Sequence, residues 1–113
     1  MESNHNMQIA TTILNQLGGR RFLAMTGATN LVAIHSGLML KLKRNVSKAN
    51  YMRITLTSDD LYKVEFIYAR GEVIRTVREM SGVYNDMLQD LFYSVTGMYC
   101  TLSHQPAHRF SAN

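Results

Sequence analysis

The chain has 113 residues, 46% of them hydrophobic, one cysteine and a formal charge of +4. That length suits a single domain burying roughly two-thirds of its unfolded surface. The lone Cys100 excludes an internal disulfide and is read as packing in a reducing compartment.

The N-terminal "MESNHNMQ" carries Glu2 where a secretory leader would be basic. No apolar run approaches the ~20 residues of a membrane helix. The expectation is therefore a soluble, cytoplasmic protein with no membrane partner. In "MQIATTILNQLGG", Ile9, Ile13 and Leu17 fall on one helical stripe that Ala10 and Leu14 widen, with Gly18 as the stop, which predicts a helix over 7–17. The period then changes to two, so "RRFLAMTG" and "NLVAIHSG" read as short strands joined by a turn at "GATN".

Alternation is clearest in "LMLKLKRN", where Leu38, Leu40 and Leu42 oppose Lys41 and Lys43. "YMRITLTS" repeats it, with Met52, Ile54 and Leu56 inward and Arg53, Thr55 and Thr57 outward. In "DLYKVEFIYARG" the inward face is Tyr62, Val64, Phe66 and Tyr68, and the outward face holds Lys63 and Glu65. "ARGE" reads as a hairpin turn, and "VIRTVREM" as a fifth strand or the approach to a last helix. That helix is expected within "SGVYNDMLQDLFYSVTG", its stripe formed by Tyr84, Met87, Leu88, Leu91, Phe92 and Val95, its stop by Gly97. The segment 103–113 holds the only proline and no period, so it is expected as a flexible or extended tail after a domain over 1–102.

The fold class that follows is α+β: an N-terminal helix, a four- to five-stranded antiparallel meander and a C-terminal helix, with both helices on one sheet face. The other face is left to solvent or to a partner.

Charge is segregated along the chain. Between Glu2 and Asp59 there are Arg20, Arg21, Lys41, Lys43, Arg44, Lys48 and Arg53 and no acid, whereas seven of the eight carboxylates lie after that span. On these registers Lys41, Lys43, Arg53 and Lys63 share the open face, with Tyr51 placed to stack on a base. The competing reading is a solvated face whose charges discourage edge pairing. Met39 alternates with the leucines and joins the lysines as an adaptable protein contact.

Other candidates carry less chemistry. "MTGATN" lacks the glycine spacing and lysine of a phosphate loop. Adjacent Asp59 and Asp60 read as turn residues rather than metal ligands. Pro106 argues against His104 and His108 as a helical metal pair. His35 is read as a strand-end residue with no carboxylate near it in sequence. No nucleophile, base and orienting group assemble, so the reading leans away from an enzyme, with no catalytic residue, cofactor or metal expected.

The segments "LGGRRFLAMTGATNLV", "DLYKVEF" and "GVYNDMLQDLFYSVTGMY" resemble a group of small proteins encoded by bacteriophages and integrated mobile elements, over roughly residues 8–102. What the resemblance implies is context: a small binder rather than an enzyme, with no catalytic residue to carry across. Two functions stay open, a nucleic-acid-binding accessory module and a protein-binding inhibitor of a host defence or regulatory protein. A component of a self-assembling particle is a third.

Overall fold

The computed structural model describes residues 2–101, with side chains from Asn4 onward; the expected tail, with His104, Pro106 and His108, lies outside the described residues. The elements are helix α1 (Glu2–Leu17), helix α2 (Arg20–Thr26), strands β1 (Thr29–Ile34), β2 (Gly37–Lys41), β3 (Tyr51–Leu56), β4 (Tyr62–Arg70) and β5 (Val73–Val83), a 3₁₀ turn at Asn85–Met87 and helix α3 (Leu88–Thr96). The strands form one antiparallel meander in the order β1-β2-β3-β4-β5. The fold is α+β with the helices flanking the sheet in sequence.

α1 follows the expected stripe, and Ala10, Ile13 and Leu17 are buried. It begins earlier than the apolar period does. Its first turn is polar, and Asn6 Oδ1 accepts a hydrogen bond from the Ser36 N–H at 2.9 Å, which ties that turn to the β1–β2 connection. At the other end the Gly18 and Gly19 amides both donate to the Leu14 carbonyl, and positive φ at both glycines turns the chain toward α2.

The first correction concerns "RRFLAMTG", expected as a strand and found as α2. Phe22 and Thr26, four apart, are the residues it buries, and Arg, Leu, Ala and Met between and beside them are good helix formers. Gly27 closes the helix at φ 70°, its N–H donating to the Leu23 carbonyl. The Thr26 hydroxyl donates to the Phe22 carbonyl at 2.7 Å, which satisfies a buried polar group locally.

In the central strands the period-two reading holds. Leu38, Leu40, Met52, Ile54, Val64 and Phe66 are buried and lie in one cluster with Ala10, Ile13, Leu17, Leu88, Leu91 and Phe92, so α1 and α3 cover the same sheet face. Phe92 sits at the meeting point. Its ring lies 5.1 Å from that of Phe22, edge to face, and 6.5 Å from that of Phe66.

"VIRTVREM" resolves as strand and continues to Val83, so the last helix begins later than expected. Val83 pairs with Tyr62 and is buried, while Gly82 at φ 66° absorbs a register shift against β4. Tyr84, expected on the buried stripe, stands before the 3₁₀ turn and is 59% exposed. Leu88, Leu91, Phe92 and Val95 do form the stripe, and Gly97 ends α3 at φ 78°. Among the described residues no helix is long and apolar enough to cross a membrane.

Replacing Phe92 with alanine removes the ring shared by α2, α3 and β4. The expected cost is about 3–5 kcal/mol, read by urea denaturation, against under about 0.5 kcal/mol for an exposed substitution such as Gln8→Ala. Equal costs at the two sites would contradict the placement of Phe92 at the centre of the core.

Candidate nucleic-acid interface

The uncovered sheet face is built by the residues that alternate with the core. Register places Met39, Arg53, Glu65 and Glu79 in one row across four strands, Thr55 beside Lys63 in the next, and Lys41, Tyr51 and Ile67 in a third. Lys41, Arg53 and Lys63 therefore do share this face. Their charges are not equally available.

Glu65 is 8% exposed although no helix covers it, and a buried carboxylate needs partners. Arg53 supplies them through two hydrogen bonds, Nε to Oε1 at 2.9 Å and Nη2 to Oε2 at 3.1 Å. Those bonds hold the Glu65 carboxyl below the usual carboxylate range against the opposing effect of burial, and the charges of Arg53 and Lys63 push the same way. Correspondingly the Arg53 guanidinium is raised, first by its hydrogen bonds to Glu65. Lys63 reaches Glu79 at 3.5 Å in a more exposed pair. Two of the three cations on this face thus meet a carboxylate across the strands. Met39 and Tyr51 are half-buried on the same face.

Lys43 lies two residues past the end of β2, beyond the paired rows that hold Lys41. β2 ends at Lys41, the Leu42 N–H still reaches across to the Asn50 carbonyl at 2.8 Å, and the residues between them form the β2–β3 loop. The Lys43 stem lies over Gly27, where an added Cβ would come within 2.6 Å of Lys43 Cε. The left-handed φ of 70° is what favours glycine there, since the flexible lysine stem could move aside.

A cleft of ≈ 540 Å³ opens where this loop meets the end of β4, lined by Lys43, Arg44, Asn45, Lys48, Ala49, Asn50, Tyr68 and Arg70. Four of the eight are cations and none is a carboxylate. Asn45 organises the loop: its Nδ2 donates to the Lys43 and Ala49 carbonyls at 2.7 and 2.9 Å, and its Oδ1 accepts from the Ser47 N–H. Asn50 fastens the loop to β4 by pairing its side-chain amide with the Ala69 backbone, 2.8 Å to the carbonyl and 2.9 Å from the N–H. Lys48 sits at φ 69°. The cations are therefore presented by a loop whose backbone is already held, which lowers the ordering cost of binding.

Tyr68 and Arg70 escape sequence reasoning. Tyr68 follows Phe66 by two and shares its face, as expected, yet it is half-buried where Phe66 is 1% exposed, and it borders the cleft. Arg75, its partner on β5, stacks over its ring at 4.9 Å. Arg70 belongs to the acid-bearing half of the sequence, so a count of charge by segment separates it from the cations it joins in space. Arg20 and Arg21 are exposed in the first turn of α2 and are not among the cleft's lining residues.

Asp59 and Asp60 occupy the β3–β4 turn. The Thr57 hydroxyl donates to Asp59, the Asp60 N–H donates to the Thr57 carbonyl at 3.0 Å, and Asp60 takes φ 63°. His35 is exposed at the β1–β2 turn. Cys100 is fully buried, and burial pushes its thiol up to about 12, so it is protonated at neutral pH. Among the described residues no three His, Cys, Asp or Glu side chains are grouped to hold a metal ion. Comparison with protein-family models, with curated proteins and with solved structures finds no match.

Two outcomes follow from these contacts. Arg53→Gln leaves Glu65 buried without its fork and is expected to cost about 1–2 kcal/mol, whereas Lys41→Gln stays within about 0.5 kcal/mol, as read by chemical denaturation. Because Glu65 is depressed in the folded state, its contribution is complete above its unfolded value near ~4.3 and is lost as pH falls through the lower folded value. Glu65→Gln should accordingly flatten the decline of stability below about pH 4; an unchanged acid limb would contradict the pair. Separately, exchanging Asp59 and Asp60 for asparagine should leave both the fold and the divalent-metal content of the purified protein unchanged, since asparagine serves the same turn. Metal present at one per chain and lost in that variant would make the pair a ligand site.

Proposed function

We propose that the protein is a small, non-enzymatic nucleic-acid-binding module that uses the cleft between the 43–50 loop and the end of β4. The observation that carries this reading is the charge of the cleft: among the described residues Lys43, Arg44, Lys48 and Arg70 line it and no carboxylate does. The sheet-face cations Arg53 and Lys63 have glutamate partners, so phosphate would have to compete for them. Lys41, on the open face, extends the positive field beyond the cleft. Cations converging without an acid attract a polyanion and gain from the counterions it releases. A phage or mobile-element origin, which the sequence motifs suggest, suits a protein of this kind.

A second reading, inhibition of a host protein, is favoured by β1. This edge strand has no charged residue, Val32 opposite Met39 is 53% exposed and Leu31 is 37% exposed, an edge suited to strand addition.

Fluorescence anisotropy with labelled oligonucleotides over a salt series separates the two. Exchanging Lys43, Arg44, Lys48 and Arg70 for glutamine should lower affinity and reduce the slope of log K against log salt by roughly 3, at about 0.7–0.9 per phosphate contact. Lys63→Gln should leave the slope unchanged, against about 0.7–0.9 if it contacted a phosphate. Wild-type protein that shows no salt-sensitive binding to DNA or RNA would leave the protein-binding reading in its place.

A further inference from the structure

The cleft has a shape and an aromatic wall as well as a charge, and together they restrict the kind of nucleic acid it can take. We infer that the cleft binds single-stranded nucleic acid, with one unpaired base stacked on Tyr68 and the flanking phosphates held by Lys43, Arg44, Lys48 and Arg70. This rests on the nucleic-acid reading above and adds the strand class and a base-contacting residue.

The first argument is concavity. A recess of ≈ 540 Å³ is of the size that encloses a small molecule, so it accommodates one nucleotide unit. Duplex DNA keeps its bases stacked inside and displays them in a major groove roughly 12 Å wide, read by an inserted helix or ribbon. A recess offers nothing to insert, so a duplex would lay its phosphates across the rim only.

The second argument is the place of Tyr68. Phe66, two residues earlier on the same face, is covered by the core. Tyr68 instead stays half-buried and borders four cations. Arg75 at 4.9 Å over its ring takes one face and restrains the plane, so a base would stack on the opposite face of an already oriented ring. Aromatic stacking beside a basic track is how sequence-tolerant single-strand sites are built.

The third argument is charge number. Four lining cations exceed what one phosphodiester can satisfy, and three of them, Lys43, Arg44 and Lys48, follow a single loop across from Arg70. Successive phosphates of one strand match that spread of charge. A free nucleotide triphosphate carries comparable charge concentrated at one end, and it is the competitor the test includes.

The test uses the full chain and three probes: a labelled ten-nucleotide thymidine single strand, a labelled ten-base-pair duplex, and dTTP as competitor. The single strand is expected to bind at least roughly tenfold tighter than the duplex, and Tyr68→Leu to weaken it by roughly 5- to 150-fold without changing the salt slope, while Tyr68→Phe retains affinity. Because the chain has no tryptophan, Tyr68→Trp supplies a single indole whose emission the single strand should quench and the duplex should not. That signal keeps the test decisive should Tyr68→Leu fail to fold. Equal affinity for the duplex, displacement by dTTP at matched concentration, or an indole indifferent to the strand would each overturn the inference. Loss of binding in the four-cation glutamine variant with none in Tyr68→Leu would retain the cleft as a phosphate site and remove the stacking role. No binding of either oligonucleotide would remove the nucleic-acid reading itself.

Discussion

The burial of Phe92 is the contact on which the arrangement depends. Its ring meets Phe22 of α2 and Phe66 of β4, so one side chain of the last helix joins the N-terminal helical segment to the middle of the sheet. Leu88 beside it and Ile13 and Leu17 from α1 complete a single apolar layer. Because all three helices come before or after the meander in the chain and pack toward this layer, one face of the five strands is covered and the other is open. A one-sided sheet must keep polar residues on its free side, and the alternation of these strands supplies them.

That constraint decides the electrostatics. Polar residues on an open face still crowd one another, and Glu65, at the centre of its row, loses most of its exposure to its neighbours on adjacent strands. Arg53 is directly opposite and forms the two-pronged pair that a poorly hydrated carboxylate requires. The Lys63–Glu79 pair is more exposed and adds little to stability. Among the described residues Lys41 on that face has no ion pair, and neither do the cleft's cations, three of them on a loop that Asn45 and Asn50 hold through backbone contacts and the fourth, Arg70, at the end of β4. Folding thus pairs two of the three sheet-face cations with carboxylates and gathers four others at a recess at the sheet's end.

The parts that sequence reasoning reached and missed differ in a physical way. Leu38, Leu40, Met52, Ile54, Val64 and Phe66 were legible because a strand with one covered face enforces a period of two over several residues. α2 was not, since seven residues are barely two turns, and Phe22 and Thr26 at a spacing of four fit either period. The late start of α3 was hidden for a related reason: Ser81, Gly82 and Val83 carry no helical signal of their own, and only pairing of Val83 with Tyr62 assigns them to the sheet. The turn role of Asp59 and Asp60 was readable locally because their hydrogen bonds are to the residues beside them.

By itself the sequence determined the α+β class, the covered faces of the central strands and the uneven distribution of charge, all of which follow from residue type and short-range period. Tertiary structure alone decided which charges oppose one another. Arg53 and Glu65 stand twelve residues apart and meet only through strand register. Arg70 and Tyr68 join Lys43, Arg44 and Lys48 only because the β2–β3 loop is fastened to the end of β4. Local sequence sets the direction in which a side chain points along its own element. The partner it meets depends on how far the neighbouring elements extend, and that is a property of their packing.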